Sequence, residues 1–122
     1  MAGVRMAFLG VVCTCLSVSA VNGSAKLAIR VSPTVSTAPG YVLIRATMEA
    51  DADNRAVKVS AESDDFYTSS EVQLEGTNSP RIKEFRFGGL PAGDYEVTAT
   101  LIGSRGQRAA ASRTITVAQG LR

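Results

Sequence analysis

The sequence predicts an all-β protein, a seven-stranded antiparallel Greek-key β-sandwich preceded by a signal peptide. Two observations support this fold class. After Ala25, apolar and polar residues alternate with a period of two, which is typical of strands that bury one face. Clusters of Gly, Pro, Asn, Asp and Ser separate these alternating runs, and no stretch shows a convincing helical period. A length of 122 residues leaves room for one such domain.

The first three strands are the clearest. Each begins or ends at a turn signal, and the strands are predicted over 27–32, 42–49 and 57–62. Ser32-Pro33 ends the first strand, Ala38-Pro39-Gly40 precedes the second, and the polar run 51–54 precedes the third.

The last four strands are predicted over 66–74, 84–87, 94–101 and 114–117. The alternation over 66–74 is weaker than elsewhere. Turn residues separate these strands, and the stretch 103–108 is predicted to be a loop. The Ala-rich run 108–112 is too short to nucleate a helix.

The N-terminus resembles an export signal. It has one positive charge at Arg5, then fifteen uncharged residues over 6–20 that end in the small-residue run Val18-Ser19-Ala20. We expect a signal peptide over 1–20, with an alternative cleavage after Ala25, a domain over 26–119 and a short tail over 120–122. The mature protein is then secreted or periplasmic, and no membrane span remains after signal removal.

Composition limits the possible functions. Thirteen Lys and Arg against eleven Asp and Glu give a net charge of +2, which makes nucleic acid a poor candidate partner. His is absent, which excludes Ser-His-Asp, Cys-His and zinc-His sites. Both cysteines, Cys13 and Cys15, fall in the predicted signal peptide. The sequence therefore predicts that the chain is not an enzyme and has no cofactor and no metal site.

One short motif carries a family resemblance. Leu90-Pro91-Ala92-Gly93-Asp94-Tyr95 resembles the turn that leads into strand F of immunoglobulin-like and fibronectin type III-like domains. The resemblance implies a structural turn formed by Leu90, Pro91, Gly93 and Tyr95. In it the Tyr95 hydroxyl turns back to the loop backbone, and Gly93 allows the tight turn.

The domain has no Cys pair and no Trp of the antibody type, so it is more similar to the fibronectin type III-like or bacterial immunoglobulin-like branch. The same run also resembles a turn of transthyretin-like and carboxypeptidase regulatory-like sandwiches.

Four side chains are candidates for binding. Tyr41 and Tyr67 have faces that can stack on a sugar ring, and Arg105 and Arg108 could grip an acidic partner or an anionic glycan. A solubilising loop is the simpler interpretation of the two arginines. The loop oxygens of Asp51, Asp53 and Asn54 could bind calcium, but these three nearby oxygens fall short of the six to eight that calcium takes, so solvated turn residues are favoured.

These observations favour an extracytoplasmic binding or assembly module that acts by protein–protein contact through loops or an edge strand. The candidate edge strands are 26–32 and 66–74. The partner is expected to be an unknown protein or cell-surface component. The alternative is a small carbohydrate-binding or substrate-targeting module with a glycan as its ligand.

Overall fold

A computed structural model describes residues 26–120. These residues form eight strands: β1 (Leu27–Ser32), β2 (Val35–Thr37), β3 (Gly40–Met48), β4 (Ala56–Glu62), β5 (Tyr67–Gln73), β6 (Ile82–Leu90), β7 (Gly93–Gly103) and β8 (Gly106–Ala118). A short 3-10 turn, Gly76–Asn78, lies between β5 and β6. The predicted signal peptide and both of its proposed cleavage points lie outside the described residues.

The strands form two sheets. One has three strands in the order β1-β3-β6, and the other has five in the order β2-β8-β7-β4-β5. Neighbouring strands run antiparallel, except that β2 runs parallel to β8. The all-β prediction is confirmed, but the expectation that all strands pair antiparallel is wrong, because the short strand β2 pairs in parallel with β8.

The predicted count of seven strands is wrong, and the structure shows why. The additional strand, β2, has three residues between Pro33 and Pro39, which is too short to produce an alternating pattern. The last strand is also longer than predicted, because residues 109–112 of the Ala-rich run pair with β7, and Arg108 lies at a shift in the register between the two strands. Only Ser104 and Arg105 remain between β7 and β8, so the predicted loop is a tight hairpin turn.

The core lies between the two sheets, and strand alternation builds it. Every second residue of β3 is buried from Gly40 to Met48, and β7 contributes its largest side chain through Tyr95. Phe66 packs edge-to-face on Tyr95, with ring centroids 6.4 Å apart. Burial of such side chains is the main stabilising contribution in a domain with no cysteine among its described residues.

Loops collect at the two ends of the sandwich. The turns 49–55, 74–81 and 104–105 share one end, which we call the hairpin end, while 63–66 and 91–92 lie at the other. The outer strands β1 and β5 are both sheet edges, as are β2 and β6. Within residues 26–120, no helix is long and apolar enough to cross a membrane.

Candidate functional site

The turn between β6 and β7 is held by Tyr95. Its hydroxyl donates a hydrogen bond to the carbonyl oxygen of Pro91 over 2.7 Å, and the residue as a whole is 1% exposed. Leu90 is fully buried at the end of β6. Gly93 has a φ of +157°, which residues with a side chain rarely adopt. These four residues therefore fix the connection between the two sheets rather than forming a surface that could bind a ligand.

Arg108 lies on β8 at the hairpin end of the sandwich, and its side chain is largely buried there. Its guanidinium donates to Oδ1 of Asn54 over 2.7 Å and lies 3.2 Å from Oδ2 of Asp51 and 3.9 Å from Oδ2 of Asp53. Only 17% of its side chain is exposed. The expectation of a free binding cation does not describe this residue, because its charge is already engaged by the β3–β4 loop.

The buried side chain of Asn54 requires a hydrogen-bond donor, and Arg108 provides it. This side chain is 1% exposed, and its Nδ2 donates to the carbonyl oxygen of Glu49 over 2.9 Å. The remaining acceptor, Oδ1, is satisfied by Arg108. A buried amide without a partner is costly, so Arg108 serves to fasten the β7–β8 hairpin to the β3–β4 loop.

Hydrogen bonds stabilise the charged form of both loop carboxylates. The pKa of Asp51 is lowered by the backbone N–H of Asp53 and then by Arg108, and the pKa of Asp53 is lowered by hydrogen bonds from Ser104. The N–H of Asp53 reaches Asp51 over 2.8 Å, and the N–H of Ser104 reaches Asp53 over 3.1 Å. Arg108 thus occupies the place that a cation would take between these two carboxylates. In residues 26–120, no group of three or more Asp or Glu residues is arranged to hold a metal ion.

An open cleft of about 360 Å³ lies beside this network. It is lined by the loop residues Ala52 and Arg55 and by the segment 74–77 that follows β5. The cleft was not predictable from the sequence, because its walls come from segments about twenty residues apart.

The two candidate tyrosines lie on different sheets. Tyr41 is on β3 in the three-stranded sheet and is 46% exposed, whereas Tyr67 is on β5 in the five-stranded sheet and is 54% exposed. They cannot form one stacking platform for a sugar. Arg105 is exposed at the tip of the β7–β8 hairpin.

The outer face of the three-stranded sheet gathers exposed apolar and basic side chains. Strand register places Arg30 beside Arg45 and Leu43 beside Arg86, and the Arg86 guanidinium lies 5.2 Å from the centre of the Tyr41 ring. We call this surface the arginine face, and its residues are Arg30, Tyr41, Leu43, Arg45, Ile82, Glu84 and Arg86. Three of the five exposed large apolar side chains of the described domain, Tyr41, Leu43 and Ile82, belong to it.

Charge on the arginine face is not balanced by the residues of that face within the described range 26–120. Arg45 pairs with Glu84, with Nη2 and Nε at 2.8 and 3.0 Å from the same carboxylate oxygen. Arg30 lies directly opposite Arg45 on the neighbouring strand. Like charges in that position are unfavourable, and the single carboxylate of Glu84 cannot neutralise both guanidiniums and Arg86. The face therefore carries a net positive charge that an acidic partner could neutralise.

Sequence reasoning identified Tyr41 on this face but missed its neighbours. Alternation alone shows that Arg30, Arg45 and Arg86 point away from the core. It does not show that β1, β3 and β6 are adjacent, and this adjacency is what brings the three arginines together.

The comparisons with known proteins bear on the fold. No protein-family model matches the sequence, and no curated protein matches it. A superoxide reductase (neelaredoxin) from Ignicoccus hospitalis has a similar structure, with a TM-score of 0.56 and 12% identity over 76% of this chain and 81% of the other. A CARDB domain of a Pyrococcus furiosus protein, solved in complex with di-metal ions, has a TM-score of 0.48 and 14% identity over 79% of this chain and 96% of the other.

The match to the superoxide reductase corrects one expectation. The sequence predicted that the chain is not an enzyme, and this is overturned, since a protein of similar fold is an enzyme. The absence of His and the small size of a sandwich were insufficient grounds for that exclusion. At 12% identity the likeness shows the fold alone, so no catalytic residue is carried over from that enzyme to this chain.

Proposed function

We propose that this domain is an extracytoplasmic binding or assembly module that contacts an acidic partner protein through the arginine face. The observation that supports this proposal is that exposed Tyr, Leu and Ile side chains share one sheet surface with three arginines. Tyr and Arg are the residues that most often dominate the energy of protein interfaces. The exposed outer surface of a sheet also suits a protein better than a small molecule, which needs a concave pocket.

We further propose that the domain belongs to the immunoglobulin-like or fibronectin type III-like sandwiches and is exported. The support is the pair of facing sheets, together with the Tyr95 hydroxyl bonded to the backbone of the preceding turn. The pattern over residues 1–20 supports secretion or transport to the periplasm.

The arginine face defines the chemistry of its partner. An acidic surface would neutralise Arg30 and Arg86, which face solvent on either side of the Arg45–Glu84 pair. An apolar side chain of the partner would cover Leu43 and Tyr41. Because the arginines are exposed, we expect binding to weaken as salt concentration rises.

A crosslinking pull-down from an extracytoplasmic extract, with the whole chain as bait, tests this proposal. Arg86→Glu and Tyr41→Ala should each lower capture of the partner at least about tenfold, as hot-spot substitutions do. The matched controls are Arg105→Glu and Val35→Ala, which change exposed residues that lie outside both the arginine face and β5.

The controls also separate the alternatives. Loss of capture with Arg105→Glu but not with Arg86→Glu would place the binding in the hairpin loop and overturn the role of the arginine face. Retention of the domain on polysaccharide, lost with Tyr41→Ala or Tyr67→Ala and without any protein partner, would favour the carbohydrate-binding function instead.

A further inference from the structure

The outer edge of β5 presents a row of unpaired backbone groups. Ser63 donates its N–H to the carbonyl of Phe66, and Leu74 donates to the carbonyl of Arg55, each over 2.8 Å. Hydrogen-bonded pairs alternate along an antiparallel ladder. The even-numbered residues of β5 therefore bond to β4, while the N–H and C=O groups of Tyr67, Ser69, Glu71 and Gln73 point away from the sheet.

This edge lacks the features by which sheet edges normally avoid pairing. Such edges are short, or carry Pro, bulges or several charges. The seven residues of β5 include no Pro and no Gly, its register with β4 is unbroken, and its only charge is Glu71. By contrast, β2 has three residues between prolines, and β6 carries three charges and the pair Gly88-Gly89. In the described domain no strand covers the outer edge of β5.

The sequence of β5 fits a second copy of itself. In an antiparallel pair centred on Ser70, Tyr67 lies opposite Gln73 of the second copy, and Ser69 lies opposite Glu71 of the second copy. Every outward N–H and C=O of the strand is then paired, and the Ser69 hydroxyl can donate to the carboxylate opposite it. A shift of the centre by one residue in either direction loses one hydrogen-bonded pair, and centring on Glu71 places two carboxylates opposite each other.

We propose that two copies of this chain associate through their β5 strands, in the register centred on Ser70. The two five-stranded sheets then form one continuous ten-stranded sheet across a two-fold axis. This is an isologous interface, in which each copy uses the same strand and the assembly closes at two. It is independent of the arginine face, which lies on the other sheet.

A disulfide scan of the full chain tests the register. Ser70 of one copy lies opposite Ser70 of the other in a non-hydrogen-bonded pair, with Cα atoms about 4.5 Å apart. This distance is within the range of a disulfide. Ser70→Cys should therefore give a covalent dimer under mild oxidation. The matched control is Ser69→Cys, whose two copies would lie more than about 8 Å apart and should not crosslink. The parent chain, which carries the same Cys13 and Cys15, is the blank.

Sedimentation of charge variants tests the association without a covalent bond. In the dimer, position 69 of each copy lies opposite Glu71 of the other copy. Ser69→Glu therefore places like charges together at two points and should raise the dissociation constant about tenfold, whereas Ser69→Lys places opposite charges together and should lower it. Both variants change an exposed side chain of an edge strand, so each should keep the far-ultraviolet spectrum of the parent chain. Ser69→Pro, which removes one outward N–H, should be monomeric.

Two results would overturn the proposal. One is a parent chain that stays monomeric at all concentrations tested, and the other is equal crosslinking of the Ser69→Cys and Ser70→Cys variants. A dimer that is lost with Arg86→Glu but unaffected by Ser69→Glu would assign self-association to the arginine face instead.

Discussion

A single hydroxyl group closes the turn by which the chain crosses from one sheet to the other. Tyr95 reaches back four residues to Pro91, and the rest of its side chain is part of the core. The position therefore combines two roles: the ring contributes apolar burial, and the hydroxyl satisfies a loop carbonyl.

Tyr95→Phe separates these two roles. The ring stays in the core, and we expect the free energy of unfolding to fall by about 1 kcal/mol, the contribution of one hydrogen bond. Urea denaturation measures the change, and Tyr67→Phe on the exposed face of β5 is the control. Equal stability of the two variants would show that the bond to Pro91 contributes nothing.

The two arginines of the β7–β8 hairpin, Arg108 and Arg105, are expected to contribute differently to stability. Removal of Arg108 in Arg108→Ala leaves the buried Oδ1 of Asn54 without a donor, so we expect a loss of about 2 kcal/mol in stability. Arg105→Ala changes an exposed hairpin residue and should alter stability by less than about 0.5 kcal/mol. Guanidinium denaturation of both variants checks this difference. A destabilisation of similar size in the two would mean that the Asn54 contact is not what holds the loop.

At the scale of the strands, β7 and β8 form a hairpin, and the β3–β4 loop contacts this hairpin through hydrogen bonds and ion pairs. Gly103 makes this close approach possible, since a Cβ there would overlap Oδ2 of Asp53 and lie 2.6 Å from Cδ of Arg108. The absence of a side chain at this position lets the hairpin and the loop share one set of ionic contacts.

Gly103→Ala should therefore displace the acidic loop and cost about 1–3 kcal/mol, as overpacking does. The control is Gly88→Ala on β6, where an added Cβ meets nothing within 4 Å. Thermal unfolding of the two variants gives the comparison. If Gly103→Ala keeps the melting temperature of the parent chain, the β3–β4 loop can move to accommodate the added methyl group. Its contact with the β7–β8 hairpin then contributes little to stability.

The strands differ in how well their sequences predict them. The long strand β3 alternates strictly between buried and exposed residues, and its position was predictable from that pattern alone. β5 gave a weaker signal because its inward positions include Thr68 and Ser70, as an edge strand tolerates. The role of Arg108 was not predictable, because its partner Asn54 is 54 positions away and nothing local marks the contact.

At the scale of the whole molecule, the titratable groups determine how stability depends on pH. The chain has no His, so no side chain has an ordinary pKa between pH 5 and 8. The folded state lowers the pKa of Asp51 and Asp53 below the value of 3.8 that each has when free. A carboxyl group with a lowered pKa stabilises the fold above its unfolded pKa and loses that effect as the pH falls through its folded pKa.

We therefore expect a constant free energy of unfolding from pH 8 to about pH 5, followed by a decline below about pH 4. Urea denaturation across this range measures the profile. The double substitution Asp51→Asn and Asp53→Asn should flatten the acid decline. A transition centred near pH 6 would contradict this account, because none of the cited groups titrates there.

The free edge of β5 has a consequence for binding strength. A two-fold axis through paired β5 strands runs perpendicular to the continuous sheet, so the three-stranded sheets of both copies lie on the same side of it. Two arginine faces then point in one direction from a single assembly. On a surface that repeats the acidic partner, the second contact forms at a high effective concentration, and weak individual affinities combine into strong avidity.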